Sequence, residues 1–349
     1  MKCMPDCEKL QYCGRIDFDN PRKPVFVFPG SYVKVKFFGK KVEALVKNKN
    51  YYWDNFLGVL VDGIQTKIKL DMTEDEQKLL LFEGEAEGEH ELTLFKRQDA
   101  CHVFEFCGFI FSDGAKLLEL PKPWSRRMEV YGDSVSAGEV SEAADYCGKE
   151  DPQHNGEFSN SYESYASIAA RKLNAQLHSI AQGGIALMKG TGWYFAPNYL
   201  GMEDIYDKIE YPPYEKKQKV WDFTAYIPHV VIVAIGQNDK NPWDFMKEDF
   251  YGEKALEWRS RYKNFVKKLR GHYPKAEIIL TTTILFHDAS WDEAIELVCR
   301  ELADEKVHHF LYQRNGTGTP GHIRKAEAEE MANELCSYIE SLGEEIWRD

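Results

Sequence analysis

The strongest constraint on this fold is a change of pattern part-way along the chain. From about residue 25 to about residue 120, short apolar stretches alternate with polar positions at period two. In residues 31–39, Val33, Val35 and Phe37 fall on one face and lysines on the other. Turn residues punctuate the pattern at Asp62-Gly63, at 83–88 and at Asp113-Gly114, marking hairpin corners. Regular strands at this spacing with no helical stretch between them predict a β-sandwich or barrel of roughly 100 residues.

After the proline-stiffened PKPW connector at 121–124 the pattern becomes strand, loop, helix, repeated. Strand-like stretches at 128–134, 176–182, 229–236, 276–284 and 307–312 alternate with helical stretches at 162–175, 255–272, 291–302 and 323–342. Such alternation predicts a parallel sheet with helices on both faces. The expected boundaries are therefore a β-domain at 1–122 and an α/β domain at 123–349. A chain of 349 residues is long enough for two cores of this size.

Composition excludes several kinds of partner. The 44 basic and 57 acidic residues leave a net charge of −13, which disfavours binding to nucleic acid or to anionic lipid. The longest apolar runs, Val230–Ile235 and Ile278–Phe286, fall well short of a membrane span of about 20 residues. The first thirty residues contain acids and prolines and no continuous apolar stretch, so the expected location is cytoplasmic. The eight cysteines agree with this, since none forms a CxxC pair. Cys3, Cys7 and Cys13 lack common zinc-ligand spacings and have no nearby histidine, so no metal is expected there.

In an open parallel sheet, ligands bind beyond the carboxyl ends of the strands. Four blocks occupy such places: Gly132-Asp133-Ser134-Val135-Ser136-Ala137-Gly138, then Gln182-Gly183-Gly184, then Gly236-Gln237-Asn238-Asp239, and finally Gly318-Thr319-Pro320-Gly321-His322. They supply a hydroxyl, amide donors and an imidazole, the parts of an acyl-transfer site. Ser134 is the expected nucleophile and His322 its base. The Ser134 and Gly183 backbone N–H groups and the Asn238 side-chain amide are the expected oxyanion donors. Gly183 is preferred to Gly184, and Asp239 reads as a structural partner of its own loop.

Each residue also has a simpler reading. Ser134 suits a helix N-cap, Asn238 suits a strand-to-helix turn, and His308, His309 and His287 compete with His322. His308 and His309 lie within an apolar strand, whereas His322 follows one. In the irregular, aromatic stretch 188–217, Trp193 is the first choice for stacking on a sugar ring; Tyr194 beside it, and Trp243 and Trp291 further along, are alternatives, and taken singly each reads more simply as a core aromatic. The acidic run from Glu83 to Glu91 reads as a solvated hairpin turn.

The order Ser, Gly, Asn, His, with GDSVSAG first and GQND third, resembles the SGNH (GDSL) hydrolases over nearly all of 128–335. With a β-domain in front, the chain resembles carbohydrate esterase family 2. The resemblance implies an SGNH α/β/α sandwich preceded by a jelly roll, needing no cofactor. It also implies a serine acetylesterase acting on acetylated oligosaccharides such as mannan or xylan fragments, with transacetylation as a secondary activity. A lipid esterase or thioesterase of the same fold, and an inactive carbohydrate-binding protein, are the alternatives. One departure stands out: the family's DxxH aspartate is replaced by Thr319, and no carboxylate lies between Glu305 and His322. A backbone carbonyl of the Gly318 to Pro320 turn, or an acid from a distant loop such as Asp288 or Asp292, is expected to orient the imidazole.

Overall fold

A computed structural model describes residues 1–211 and 219–348. Between Lys2 and Leu118 the chain forms one ten-stranded antiparallel sheet. Its spine is a pair of long strands, Tyr32–Asn50 and Glu76–Lys96, which pair along most of their length. The register shifts between Gly39 and Lys41 and again between Val42 and Glu43. Such bulges bend and twist a sheet locally, and the sheet curls round its own core. Val33, Val35 and Phe37 are fully buried there, as the period-two pattern predicts.

One expected turn is corrected. Residues 83–91 do not form a hairpin corner; they continue the strand Glu76–Lys96, with Glu83 opposite Lys41 and Gly88 opposite Gly39. Here neither face of the strand is buried, so no alternation of apolar residues reveals it. Cross-strand pairs Lys34–Glu91 (2.8 Å), Lys36–Glu89 (3.2 Å) and Lys41–Glu83 (3.7 Å) hold opposite charges together along it. The Asp62-Gly63 corner does turn, with φ of 51° and 84°, as the tight turn between Phe56–Val61 and Ile64–Lys69 requires.

The second sheet has five parallel strands in the order Ala175–Ala181, Arg126–Gly132, Val230–Ala234, Glu277–Thr281, Val307–His309. Its strands are buried on both faces, which explains their near-continuous apolar runs. Val231 and Val233 pack towards helices Glu253–His272 and Ser290–Leu302; Val230 and Ile232 pack towards helices Tyr165–Lys172 and Lys325–Ser341. The strand order reverses between Arg126–Gly132 and Val230–Ala234, and a doubly wound sheet opens its ligand crevice at such a reversal. Ser134 follows the first of these strands and Asn238 the second.

The two sheets are joined by more than the connector. Arg15, in the turn between strands Gln11–Cys13 and Ile16–Asp17 of the antiparallel sheet, is fully buried and donates to Glu129 Oε1 (2.8 Å) and to the Tyr131 hydroxyl (2.7 Å) of the parallel sheet. Of the irregular stretch 188–217 singled out in the sequence, residues 212–217 lie outside the described residues. Among the described residues no helix is long and apolar enough to cross a membrane.

Candidate active site

The strand Arg126–Gly132 ends in a sharp turn into a one-turn helix, Ser134–Ala137. Asp133 caps that helix by accepting the Val135 N–H (3.0 Å), and Gly138 closes it at φ 75°. Glycine is required at 138 by space as well: a Cβ there would stand 2.3 Å from the Asn160 carbonyl oxygen. Ser134 occupies the first helical position, and its hydroxyl faces a cleft of about 760 Å³.

His322 Nε2 lies 2.6 Å from Ser134 Oγ. The other ring nitrogen, Nδ1, lies 2.5 Å from Asp151 Oδ2, and the His322 backbone N–H donates to Asp151 Oδ1 (2.8 Å). Arg324 Nη2 donates to that same Oδ1 at 2.8 Å. The carboxylate that orients the imidazole is therefore Asp151, from the polar loop after the first block. This corrects the expectation of a carbonyl from 318–320 or of Asp288 or Asp292. Asp292 instead meets buried His287 (3.1 Å), Thr282 and Asn315, while Asp288 faces Lys247. His308 is engaged by Glu277 (2.8 Å). An orienting acid from a separate loop has no fixed spacing to its histidine, so a pattern search centred on His322 misses it.

A second histidine, also unanticipated, completes the cluster. His154 bridges Glu139 through Nδ1 and Asp151 through Nε2 (3.2 Å), with its ring centroid 5.4 Å from that of His322. Its hydrogen bonds with Asp151 and then Glu139 push its pKa up to about 10, so it is an imidazolium at neutral pH. Burial alone would raise the Asp151 pKa, but hydrogen bonds from His154 and His322 hold it well below the usual carboxylate range. Burial works against a charged His322, yet the hydrogen bond to Asp151 and the nearby Glu139 carboxylate, 4.0 Å away, raise its pKa overall. Asp151, His154 and His322 bring metal-ligand atoms within 4.8 Å of one another. Each of these residues is already held in hydrogen bonds of the chain itself, so the geometry reads as a proton-holding network.

Gly183, Asn238 and Trp193 also line the cleft with Ser134 and His322. The Gly183 N–H donates to Asp99 Oδ2 (2.6 Å), a residue of the antiparallel domain, and a Cβ at 183 would come within 2.7 Å of that oxygen and 2.9 Å of Glu139 Oε2. The Asn238 amide donates to Asp133 Oδ2 (3.2 Å) and to the Ile185 carbonyl (3.0 Å). Asp239 receives the Leu187 N–H (2.7 Å), the Met188 N–H (3.1 Å) and the Thr191 hydroxyl (3.0 Å), tethering the stretch that carries Trp193. Trp193 is 63% exposed at the cleft. Trp291 is a core residue, fully buried, and Trp243 lies away from the cleft.

The antiparallel domain supplies a wall of the cleft through Tyr52, Trp53 and Asp99. Trp53 adopts φ 58°, a conformation costly for a bulky residue, and Asn50 Nδ2 holds its carbonyl at 2.8 Å. The indole is thereby fixed beside His154, 5.8 Å between ring centroids.

The chain is similar to known proteins over nearly all of its length. Residues 12–121 match the carbohydrate esterase 2 N-terminal family. Two solved structures of a family two carbohydrate esterase from Clostridium thermocellum, one with cellohexaose bound and one of an active-site mutant, superpose with TM-scores of 0.80 and 0.78. They are 29% and 30% identical to this chain and cover 97% of it, and the match takes in 100% and 99% of theirs. This chain belongs to carbohydrate esterase family 2. Membership places it in a family of carboxylic ester hydrolases. The chain is 33% identical over 345 residues to the cellulase/esterase CelE of Acetivibrio thermocellus, spanning 39% of that protein's length. It is 26% identical over 341 residues to an acetylxylan esterase / glucomannan deacetylase of Cellvibrio japonicus, covering 88% of it. In both cases the match takes in 95% of this family 2 chain.

Proposed function

We propose that this chain is a serine O-acetylesterase acting on acetylated plant-type oligosaccharides. The observation that carries the proposal is the 2.6 Å contact between Ser134 Oγ and His322 Nε2, with Asp151 on the far side of the ring. A serine hydroxyl becomes a useful nucleophile only with such a base beside it. The relatives point to the substrate class, since one is an acetylxylan esterase / glucomannan deacetylase. Exposed Trp193 and rigidly held Trp53, on opposite domains of one cleft, suit the apolar faces of sugar rings. We also read the curled N-terminal sheet as the family's jelly roll.

In the proposed cycle, Ser134 Oγ attacks the acetyl carbonyl carbon while its proton passes to His322 Nε2. Asp151 holds the ring in the required tautomer and stabilises the imidazolium. The tetrahedral oxyanion is received by the Ser134 and Gly183 N–H groups and the Asn238 amide, taking over the bonds that Asp99 and Asp133 accept in the free protein. The bond from carbon to sugar oxygen breaks, and His322 returns the proton to that oxygen. Water, deprotonated by His322, then attacks the carbonyl of acetyl-Ser134; the carbon–Oγ bond breaks, His322 returns the proton to Ser134 Oγ, and acetate leaves. A second sugar hydroxyl in place of water would give transacetylation.

The test measures acetate release from acetylated mannan and xylan oligomers beside hydrolysis of nitrophenyl acetate and nitrophenyl octanoate. The proposal expects acetate release from the oligomers and a preference for the acetyl ester. Rates that rise with acyl length would favour a lipid esterase or thioesterase, and no hydrolysis of any ester would favour a binding protein.

A further inference from the structure

A second pocket, of about 180 Å³, lies where the two domains meet along the edge strand Ala175–Ala181 of the parallel sheet. None of its lining residues belongs to the catalytic cleft. Tyr32 and Phe95 come from the antiparallel sheet, Trp124 from the connector, Tyr162 and Arg171 from the helical segment, and Ser179 from the edge strand. Phe95 and Tyr162 stand 5.5 Å apart with their planes tilted by 36°, and Trp124 is 46% exposed.

Two polar groups in this pocket are incompletely used. The Arg171 guanidinium carbon lies over Tyr162, 3.6 Å from the ring centroid, and its Nη1 donates to the Tyr162 carbonyl (2.7 Å). Its remaining N–H groups donate to no described residue, and no described carboxylate forms an ion pair with it. Ser179 is 6% exposed, and its hydroxyl is buried with no partner among the described residues. A half-buried cation with the Glu163 and Glu329 carboxylates near but no described carboxylate in direct ion-pair contact, and a hydroxyl with no partner among the described residues, both carry a desolvation cost that a ligand can offset.

We propose that this pocket binds a single six-membered ring bearing a carboxylate. The acid is received by the free edge of Arg171 and by the Ser179 hydroxyl, and the ring lies among Phe95, Tyr162 and Trp124. The forked guanidinium matches a carboxylate's two oxygens. The volume suits one ring and its acid, well below the roughly 300 Å³ at which drug-sized sites begin. An aromatic acid and a uronic acid share this chemistry.

Calorimetric titration of the full chain with benzoate and with glucuronate tests it, with benzamide and glucose as the neutral counterparts. Binding of either acid, with its neutral counterpart weaker by at least about tenfold, is the expected result, and the acid that binds identifies the source. Arg171→Gln, which keeps a donor for the Tyr162 carbonyl, should weaken binding by about tenfold or more, and Ser179→Ala by a few-fold. Nitrophenyl acetate hydrolysis should stay unchanged in both variants. If Arg171→Gln fails to fold, Ser179→Ala decides. Absence of binding by both acids, undiminished binding in a folded variant, or an acid that competes with nitrophenyl acetate would overturn the proposal.

Discussion

Asp151 Oδ2 stands 2.5 Å from His322 Nδ1 across 171 positions of sequence, and Arg324 Nη2 clamps the other carboxylate oxygen at 2.8 Å. The carboxylate is thus aimed at the nitrogen that, in the proposed cycle, carries a proton while Nε2 receives one from Ser134. Asp151→Asn keeps the shape but loses the charge, and it lets Nδ1 sit opposite an amide donor. Its kcat should fall by roughly 10²–10⁴-fold with little change in KM. Steady-state kinetics on nitrophenyl acetate check this, and a fall of less than about threefold would leave Asp151 without a part in orienting the base.

In the proposed cycle His322 must be neutral to accept the serine proton. Burial opposes its charge, but Asp151 and Glu139 raise its pKa above the ordinary 6.5. The acid limb of kcat/KM should therefore have its midpoint above pH 6.5, with activity falling about tenfold per pH unit below it. A pH–rate profile reads this directly, and an acid limb centred below 6.5 would disagree with the observed surroundings of the ring.

His154 ties acid–base chemistry to stability. Its folded-state pKa of about 10 lies above the 6.5 of an unfolded chain, because Asp151 and Glu139 bind the protonated ring. A raised pKa contributes stability that is complete below 6.5 and lost as pH rises through about 10. His154→Gln should therefore be destabilised most below pH 6.5, with the gap to wild type narrowing towards pH 10. Denaturant midpoints of both proteins across this range check the sign. The same variant leaves Asp151 and Glu139 less well compensated beside His322, so its kinetic acid limb should move upward in pH.

Trp193 touches the cleft from the catalytic domain and is largely exposed. Trp193→Ala should raise KM for acetylated oligomers by about threefold to tenfold, the value of one aromatic stacking contact, and leave nitrophenyl acetate kinetics nearly unchanged. Equal effects on both substrates would make Trp193 a structural support of the oxyanion loop.

What could be read in the sequence follows from where each signal resides. Ser134, Gly183 and Asn238 each follow an apolar strand and His322 lies three positions before the helix Lys325–Ser341, so local patterning and the strand-end rule point to them. Val33, Val35 and Phe37 announce their buried face in the same local way. Asp151, His154 and Glu139 could not be found so, because their partners are set by how a polar loop folds back over the cleft. Their one visible trace is an acid and a histidine three positions apart, Asp151 and His154, in an otherwise polar loop. Asp99 comes from the other domain altogether. The strand through 83–91 was hidden for a different reason: with neither face buried it carries no periodic signal, and only its cross-strand charge pairs, visible in three dimensions, explain it.

The central claim is a covalent acetyl-Ser134 intermediate. Rapid quenching of the protein with an acetylated oligosaccharide or nitrophenyl acetate, followed by mass analysis of the peptide containing Ser134, tests it most directly. The account predicts an added acetyl group on Ser134 in wild type, little in His322→Ala, which lacks the base that activates the serine, and none in Ser134→Ala. Full acetate release by Ser134→Ala, or acetylation at another residue in wild type, would contradict it.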